Sequence, residues 1–127
     1  MKKLGLIVLL LVAATGLGHA EDEATTLEGA FVWENGNTTG DLEAVFTPTS
    51  DGQWDVSFHF EFRGRPHVYS GSASGNLSDG RLEGRVLNDN KKRTFTFEGS
   101  FTDGEFNGTH VEVGDKKSRS TGTLTLR

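Results

Sequence analysis

The chain of 127 residues contains no cysteine and only two prolines. Without cysteine it has no disulfide framework and no thiol nucleophile, so its fold must depend on an apolar core. Helical periodicity is also absent after residue 20. In that part of the chain, apolar residues alternate with polar ones at a period of two. These absences favour an all-β domain, with Pro48 and Pro66 at the edges of strands.

The one long apolar run lies at the N-terminus. Lys2 and Lys3 precede an apolar segment at 4–12, and Gly18-His19-Ala20 is a small-x-small cleavage site. Since a transmembrane helix needs about 20 apolar residues, we predict a signal peptide at residues 1–20, of bacterial type; the alternative is an uncleaved anchor. We expect a periplasmic or extracellular protein, a disordered segment at 21–25, one domain at 26–127, and no membrane span in the mature chain.

Basic residues are in the minority, with 13 Lys and Arg against 18 Asp and Glu, for a formal net charge of −5. They are dispersed along the sequence rather than gathered in one run. This balance argues against nucleic acid and anionic membranes as partners. The sequence does not identify a protein partner.

Eight segments alternate between apolar and polar residues and are predicted to be strands. The clearest is 53–63, in which Trp54, Val56, Phe58, Phe60 and Phe62 share one face. The strands are expected at 26–34, 41–47, 53–63, 67–77, 81–87, 92–101, 105–113 and 118–126.

The stretch GNLSDGRLEG recurs 24 positions later as GSFTDGEFNG. Its Asp-Gly pair is typical of a hairpin tip, where glycine supplies a positive φ. We therefore expect Leu77 to pair with Leu82, and Phe101 with Phe106, across two tandem hairpins. The first strand resembles the second half of this unit and the last strand the first half, so the array can close. The predicted fold is a single antiparallel eight-stranded up-and-down β-barrel or a strongly curled meander.

The predicted inner face mixes glycine with large apolar residues. A narrow barrel filled by Phe58, Phe60, Phe95 and Phe97 is the favoured interior, because glycines let a sheet coil sharply. The alternative is a small ligand cavity above the glycines, since eight-stranded barrels occur in both forms.

Strand direction sorts the inward residues between the two rims of the barrel. One rim is expected to be an apolar plug; it collects Phe46, Trp54, Leu77, Leu82, Phe101 and Phe106. The other rim collects aromatic and polar side chains and is the candidate ligand-binding site. Its candidate binding residues are Trp33, His67, Tyr69, Arg93 and His110.

Each polar candidate at this rim has two interpretations. His67 and His110 could ligate a metal, but two histidines fall short of the three or four ligands required, so we expect them to cap the core and hydrogen-bond to neighbours. Arg93 could bind a carboxylate or stack on Trp33 or Tyr69. The slightly favoured orientation has Arg93 pointing to water, because it ends the turn NDNKKR. No metal site and no cofactor are expected.

No catalytic constellation is evident in the sequence. There is no serine in an elbow motif, and Asp55 and Glu61 lie on the predicted solvent face. We therefore expect a non-catalytic protein that binds a small apolar or amphiphilic molecule at one rim. The alternative is a structural or protein-interaction module with a filled core, which works through its surface or through an edge between the first and last strands.

The tripeptide Gly29-Ala30-Phe31 is similar to the Gly-x-Trp of lipocalin-like and avidin-like barrels. In those families the aromatic residue plugs one barrel end, often beneath a late arginine. Here phenylalanine replaces the tryptophan, Trp33 follows two residues later, and Arg119 and Arg127 are candidates for the arginine. The resemblance implies a ligand-binding architecture and assigns no binding residue.

Overall fold

The computed structural model describes residues 23–34, 38–88 and 92–127. The predicted signal peptide lies outside the described residues, as do Glu21 and Asp22 of the segment expected to be disordered. Among the residues described, the regular elements are all strands. No helix in these ranges is long and apolar enough to cross a membrane.

Eight strands follow one another along the chain, each antiparallel to the next. They are β1 (Thr25–Trp33), β2 (Thr38–Ser50), β3 (Gln53–Phe62), β4 (Arg65–Gly75), β5 (Gly80–Asn88), β6 (Thr94–Thr102), β7 (Glu105–Val113) and β8 (Arg119–Leu126).

The first and last strands pair with each other and close the barrel. In this pairing Gly29 lies opposite Leu126, and Trp33 lies opposite Gly122. The prediction of a closed, up-and-down antiparallel barrel is confirmed. The proposal of an open edge between the first and last strands is wrong, because that edge is occupied by the β1–β8 ladder.

The strand bounds differ from those expected by one to three residues in every strand except β7, and the differences in β2 and β6 matter most. β2 runs from Thr38 to Ser50, longer than the predicted 41–47, and it continues through Pro48 because the pairing register shifts between Pro48 and Ser50. β6 begins at Thr94, two residues later than predicted, so Arg93 precedes the strand.

The two tandem hairpins turn in different ways. Phe101 pairs with Phe106 as expected, around Asp103 and Gly104, whose φ values of 54° and 80° suit a tight hairpin turn. In the other hairpin, the predicted pairing of Leu77 with Leu82 is wrong.

The earlier hairpin has a longer tip because β4 ends at Gly75, which itself lies opposite Leu82. The Asn76 side-chain oxygen accepts hydrogen bonds from the backbone N–H groups of Ser78 (3.0 Å) and Asp79 (3.2 Å). This local turn removes Leu77 from the ladder, although its side chain still packs against the core.

Alternation sorts the large aromatic residues into one interior, as predicted. The rings of Phe58 and Phe97 meet edge to face, 5.2 Å apart, and both are buried. At the end of the barrel opposite the Trp33 rim, four of the six residues expected to form an apolar plug are buried, whereas Trp54 and Leu77 are only partly buried. The four largest side chains that are essentially without solvent exposure, here called the plug, are Phe46, Leu82, Phe106 and Leu126.

Candidate ligand-binding site

The other half of the barrel is hollow. A half-enclosed cavity of about 170 Å³ opens at the rim where β1, β3, β5 and β7 end; this rim is called the mouth. The four phenylalanines that the sequence analysis favoured as filling the interior all line this cavity, so the cavity alternative describes this part of the barrel. All five candidate residues line this cavity, namely Trp33, His67, Tyr69, Arg93 and His110. The remaining lining is apolar and largely aromatic.

One wall of the cavity comes from the β3–β4 hairpin. Its two-residue turn, Arg63-Gly64, has positive φ at both positions (55° and 76°), the geometry that matches the twist of paired strands. The resulting register places Phe60 opposite His67. Their rings stack 5.5 Å apart and nearly parallel, and Tyr69 stacks on Phe60 at 5.7 Å.

The facing wall comes from β1, β6 and β7. The indole of Trp33 lies 5.8 Å from the ring of Phe95 and stacks on His110 at 5.9 Å. Phe95 in turn meets Tyr69 edge to face at 5.5 Å, which joins the two walls. Aromatic side chains therefore connect the two walls of the cavity.

His110 is buried and hydrogen-bonds to its neighbours, as expected for a residue that caps the core. Its Nδ1 lies 2.7 Å from the Thr121 hydroxyl, and its Nε2 lies 3.1 Å from the carbonyl oxygen of Val32. Burial lowers the pKa of His110, although the hydrogen bond to Val32 opposes this. The neutral ring therefore donates Nε2–H to Val32 and accepts from Thr121 at Nδ1.

A bulge and a glycine create the space for this imidazole. The β7–β8 register shifts between His110 and Val111, and Gly122 lies opposite both His110 and Trp33. A Cβ atom on Gly122 would collide with the Val32 carbonyl oxygen and lie 2.9 Å from His110 Nε2. Gly122 also has a φ of 155°, so glycine is required here for both space and conformation.

Arg93 lies across the mouth over aromatic rings. Its guanidinium carbon is 5.2 Å from the ring centre of Trp33 and 5.1 Å from that of Phe95. It also forms two hydrogen bonds with Glu112, Nε–H to Oε2 at 3.0 Å and Nη2–H to Oε1 at 3.1 Å. The slightly favoured orientation toward water was therefore wrong, because the rings and the carboxylate together hold the guanidinium over the cavity.

Glu112 connects two arginines at the mouth. Its Oε1 also accepts a hydrogen bond from Arg119 at 3.0 Å. The hydrogen bond with Arg93, opposed by partial burial, lowers the pKa of Glu112 and raises that of Arg93. Tyr69 interacts with Arg93 as well and raises its pKa further. The site is thus a connected polar group above an apolar cavity.

The sequence prediction missed Glu112 and Thr121. Glu112 could have been found, because it lies two residues after His110 and therefore on the same face of β7. Thr121 had no such signal. Both Thr121 and Gly122 are buried, which breaks strict alternation, because Thr121 is the extra residue of the bulge between Ser120, opposite Val111, and Gly122, opposite His110.

Basic and acidic residues are distributed unequally between the two ends of the barrel. Most basic residues of the described chain lie in the turns around the mouth or at the strand ends beside them, namely Arg63, Arg65, Lys92, Arg93, Lys116, Lys117 and Arg119. Acidic residues there are Glu34, Glu61, Glu112 and Asp115, whereas Asp51, Asp79, Asp103 and Glu105 mark the opposite end. The basic residues are dispersed along the sequence, and hairpin folding brings alternate turns together at one rim.

The structure also shows where the possible metal ligands and the possible lipocalin-like arginine lie. Within residues 23–34, 38–88 and 92–127, no three His, Asp or Glu side chains converge as a metal site would require. Phe31 lies inside the barrel, 5.1 Å from Phe60. Arg119 pairs with Glu112, and the arginine that covers an aromatic ring of β1 is Arg93, over Trp33.

Comparison with known proteins supports the fold. No protein-family model matches the chain, and no curated protein matches it. Among solved structures, the chain is similar to a redesigned beta barrel, with a TM-score of 0.61 and 19% sequence identity. The alignment covers 78% of this chain and 86% of that one. At this identity the likeness concerns the barrel architecture alone.

Proposed function

We propose that this protein is an exported, non-catalytic barrel that binds a small apolar or amphiphilic molecule through its mouth. The observation that carries the proposal is the half-enclosed aromatic cavity of about 170 Å³. An engineered apolar cavity of about 150 Å³ is enough to bind benzene. A molecule with one or two rings, or a short alkyl chain, therefore suits this volume.

The contrast between the two halves supports a role for the cavity. In the plug half, Phe46 and Phe106 have no solvent exposure, so this sequence is able to fill the same barrel with aromatic side chains. In the mouth half, Trp33 and Phe60 remain only partly buried. Unfilled apolar space costs stability, on the order of 24 cal/mol per Å³ of cavity. A bound apolar molecule would recover part of that cost.

The contacts made by the polar groups support the proposal of a non-catalytic role. Arg93 and Glu112 hold each other, and His110 is held by Thr121 and Val32. A hydrolytic or isomerising site would need a nucleophile or base directed at bound substrate. The described polar groups instead orient and support the aromatic walls.

The alternative is an interaction module that binds no small molecule. The filled plug favours it, because a domain that only presents a surface needs a stable core and no cavity. With the β1–β8 edge closed, such a module would work through its outer face. Export is proposed for both alternatives, on the basis of the predicted leader at 1–20.

Native mass spectrometry of the protein purified from its own host tests the proposal. We expect a mature chain that begins at Glu21 and carries a small molecule. Val86 lines the cavity and is buried, so Val86→Phe should fill the space and abolish retention. Val68 alternates with the inward His67 and Tyr69, so Val68→Phe on the outer face is the matched control. A bare mass for the native protein, together with no uptake of added naphthalene, would favour the module.

A further inference from the structure

We infer that the molecule bound in the cavity carries an anionic head group, which Arg93 recognises at the mouth. This inference rests on the proposed binding function and adds the chemical class of the ligand. It joins three observations: an arginine that lines an aromatic cavity, a local excess of positive charge, and the sorting of basic turns to that end of the barrel.

Contacts within the protein fix the position of Arg93. The rings of Trp33 and Phe95 lie within 5.2 Å of its guanidinium carbon, and Glu112 receives hydrogen bonds from Nε and Nη2. A guanidinium has five N–H donors; two of them bond to Glu112 and Tyr69 also hydrogen-bonds to the group, so donors remain for another acceptor. Such preorganisation lowers the entropic cost of binding a carboxylate.

The charge balance at this position favours an anion. Glu112 is a single carboxylate shared by Arg93 and Arg119, so the three groups together carry a net positive charge. Lys92 precedes Arg93 directly, and Lys116 and Lys117 lie in the turn between β7 and β8. These groups would raise the local concentration of anions and speed their association, although the whole chain is acidic.

The same geometry disfavours a cationic ligand. Aromatic walls such as Trp33 and Phe95 attract cations to their faces. Here the guanidinium of Arg93 already occupies that position, and a second cation beside it would be repelled. An anionic amphiphile, with its apolar part in the cavity and its acidic group at Arg93, satisfies both the lining and the charge.

A matched pair of probes tests the inference. 2-Naphthoate and 2-naphthamide share one ring system and nearly one size, and they differ in charge at neutral pH. We expect calorimetry on the mature chain at low salt to show naphthoate binding at least about tenfold tighter, the factor that corresponds to 1.4 kcal/mol. The preference should shrink in high salt, because the mouth is open to solvent.

Two variants assign the preference to Arg93. Arg93→Met keeps an unbranched side chain and removes the charge, so it should bind both probes with equal affinity. Arg81→Met is the matched control at the opposite end, where Arg81 pairs with Glu83 and Glu98; it should keep the wild-type preference.

The outcomes separate the inference from the proposed function. If the wild-type protein binds both probes equally, the anionic head group is wrong while the binding function stands. If it binds neither, the proposed function itself fails. A preference that survives in Arg93→Met overturns the role of Arg93. The wild-type comparison needs no variant, so it decides the head-group question even if Arg93→Met does not fold.

Discussion

The Thr121 hydroxyl lies 2.7 Å from Nδ1 of His110 and 3.0 Å from the backbone carbonyl oxygen of the same residue. With a neutral ring the hydroxyl donates to Nδ1. With a protonated ring Nδ1–H donates to the hydroxyl, which turns its own hydrogen to the carbonyl. Thr121 therefore provides a hydrogen bond for either protonation state, and burial alone sets the preference for the neutral one.

This relationship predicts a pH dependence of stability. Burial lowers the pKa of His110 in the fold, whereas the unfolded chain titrates near the ordinary value of about 6.5. The unfolded state then binds more protons below that pH, so the free energy of unfolding should fall as pH drops below about 6.5, by at most about 1.4 kcal/mol per pH unit. The loss should stop once folded His110 is protonated.

Chemical denaturation between pH 5 and 8 measures this effect. His110→Gln should flatten the pH profile in that window, whereas His59→Gln, at an exposed position on the outer face, should keep the wild-type slope. An NMR titration of the His110 ring gives the folded pKa directly. A value at or above the ordinary one would contradict the prediction.

Replacing Glu112 should weaken the mouth without unfolding the barrel. Glu112→Gln removes the charge that Arg93 and Arg119 share, and because Arg93 is 41% exposed we expect a loss of only about 1 kcal/mol at pH 7. Since the folded pKa of Glu112 is lowered, this stabilisation is present above the unfolded value of about 4.3. It is lost as pH falls through the folded pKa.

The measurement is urea unfolding of both proteins at neutral and acidic pH. Glu83→Gln is the control, because its ion pair with Arg81 is exposed on both sides and should contribute little. Equal stability of Glu112→Gln and the wild type at pH 7 would show that the arginine pair adds nothing to the fold.

Gly122 should not tolerate a methyl group. Gly122→Ala places Cβ against the Val32 carbonyl at a φ of 155°, so β1 and β8 would have to separate; we expect a cost of more than about 3 kcal/mol. Gly104→Ala is the matched control. Its φ of 80° is unfavourable too, but a Cβ there meets nothing within 4 Å, so its cost should be about 1 kcal/mol. Thermal unfolding compares the two, and equal losses would rule out the steric explanation.

The two ends of the barrel should respond differently to loss of a ring. Phe106 has no solvent exposure, and Phe106→Ala should cost about 3–5 kcal/mol through lost burial and a new void. Phe62, at the open mouth, is partly exposed, and Phe62→Ala should cost about 1 kcal/mol. Similar losses at both positions would mean that the mouth is packed as tightly as the plug.

Much of the fold was predictable because it follows from local chemistry. Alternation in β3 directed Phe58 and Phe60 inward, and Asp103-Gly104 marked a tight turn. Closure followed from the likeness of the first and last strands to the halves of one repeat. The Leu77–Leu82 pairing failed because Asn76 forms a local turn, a choice that depends on a side-chain hydrogen bond rather than on hydrophobic pattern.

The candidate site was predictable as a location but not as a set of contacts. Strand direction alone placed Trp33, His67, Tyr69 and His110 at one rim. The bond between Arg93 and Glu112 joins residues 19 positions apart, and the contact of His110 with Val32 spans 78. Contacts of this kind depend on register across strands and on one bulge.

By itself, then, the sequence determined which side chains face inward and where the chain reverses, because both follow from the two-residue period of a strand and from the φ preferences of turn residues. The tertiary structure alone decided that the mouth half of the barrel holds a cavity and that Thr121 turns inward. Those features arise from distances between strands that are remote in the chain, and no local pattern encodes such distances.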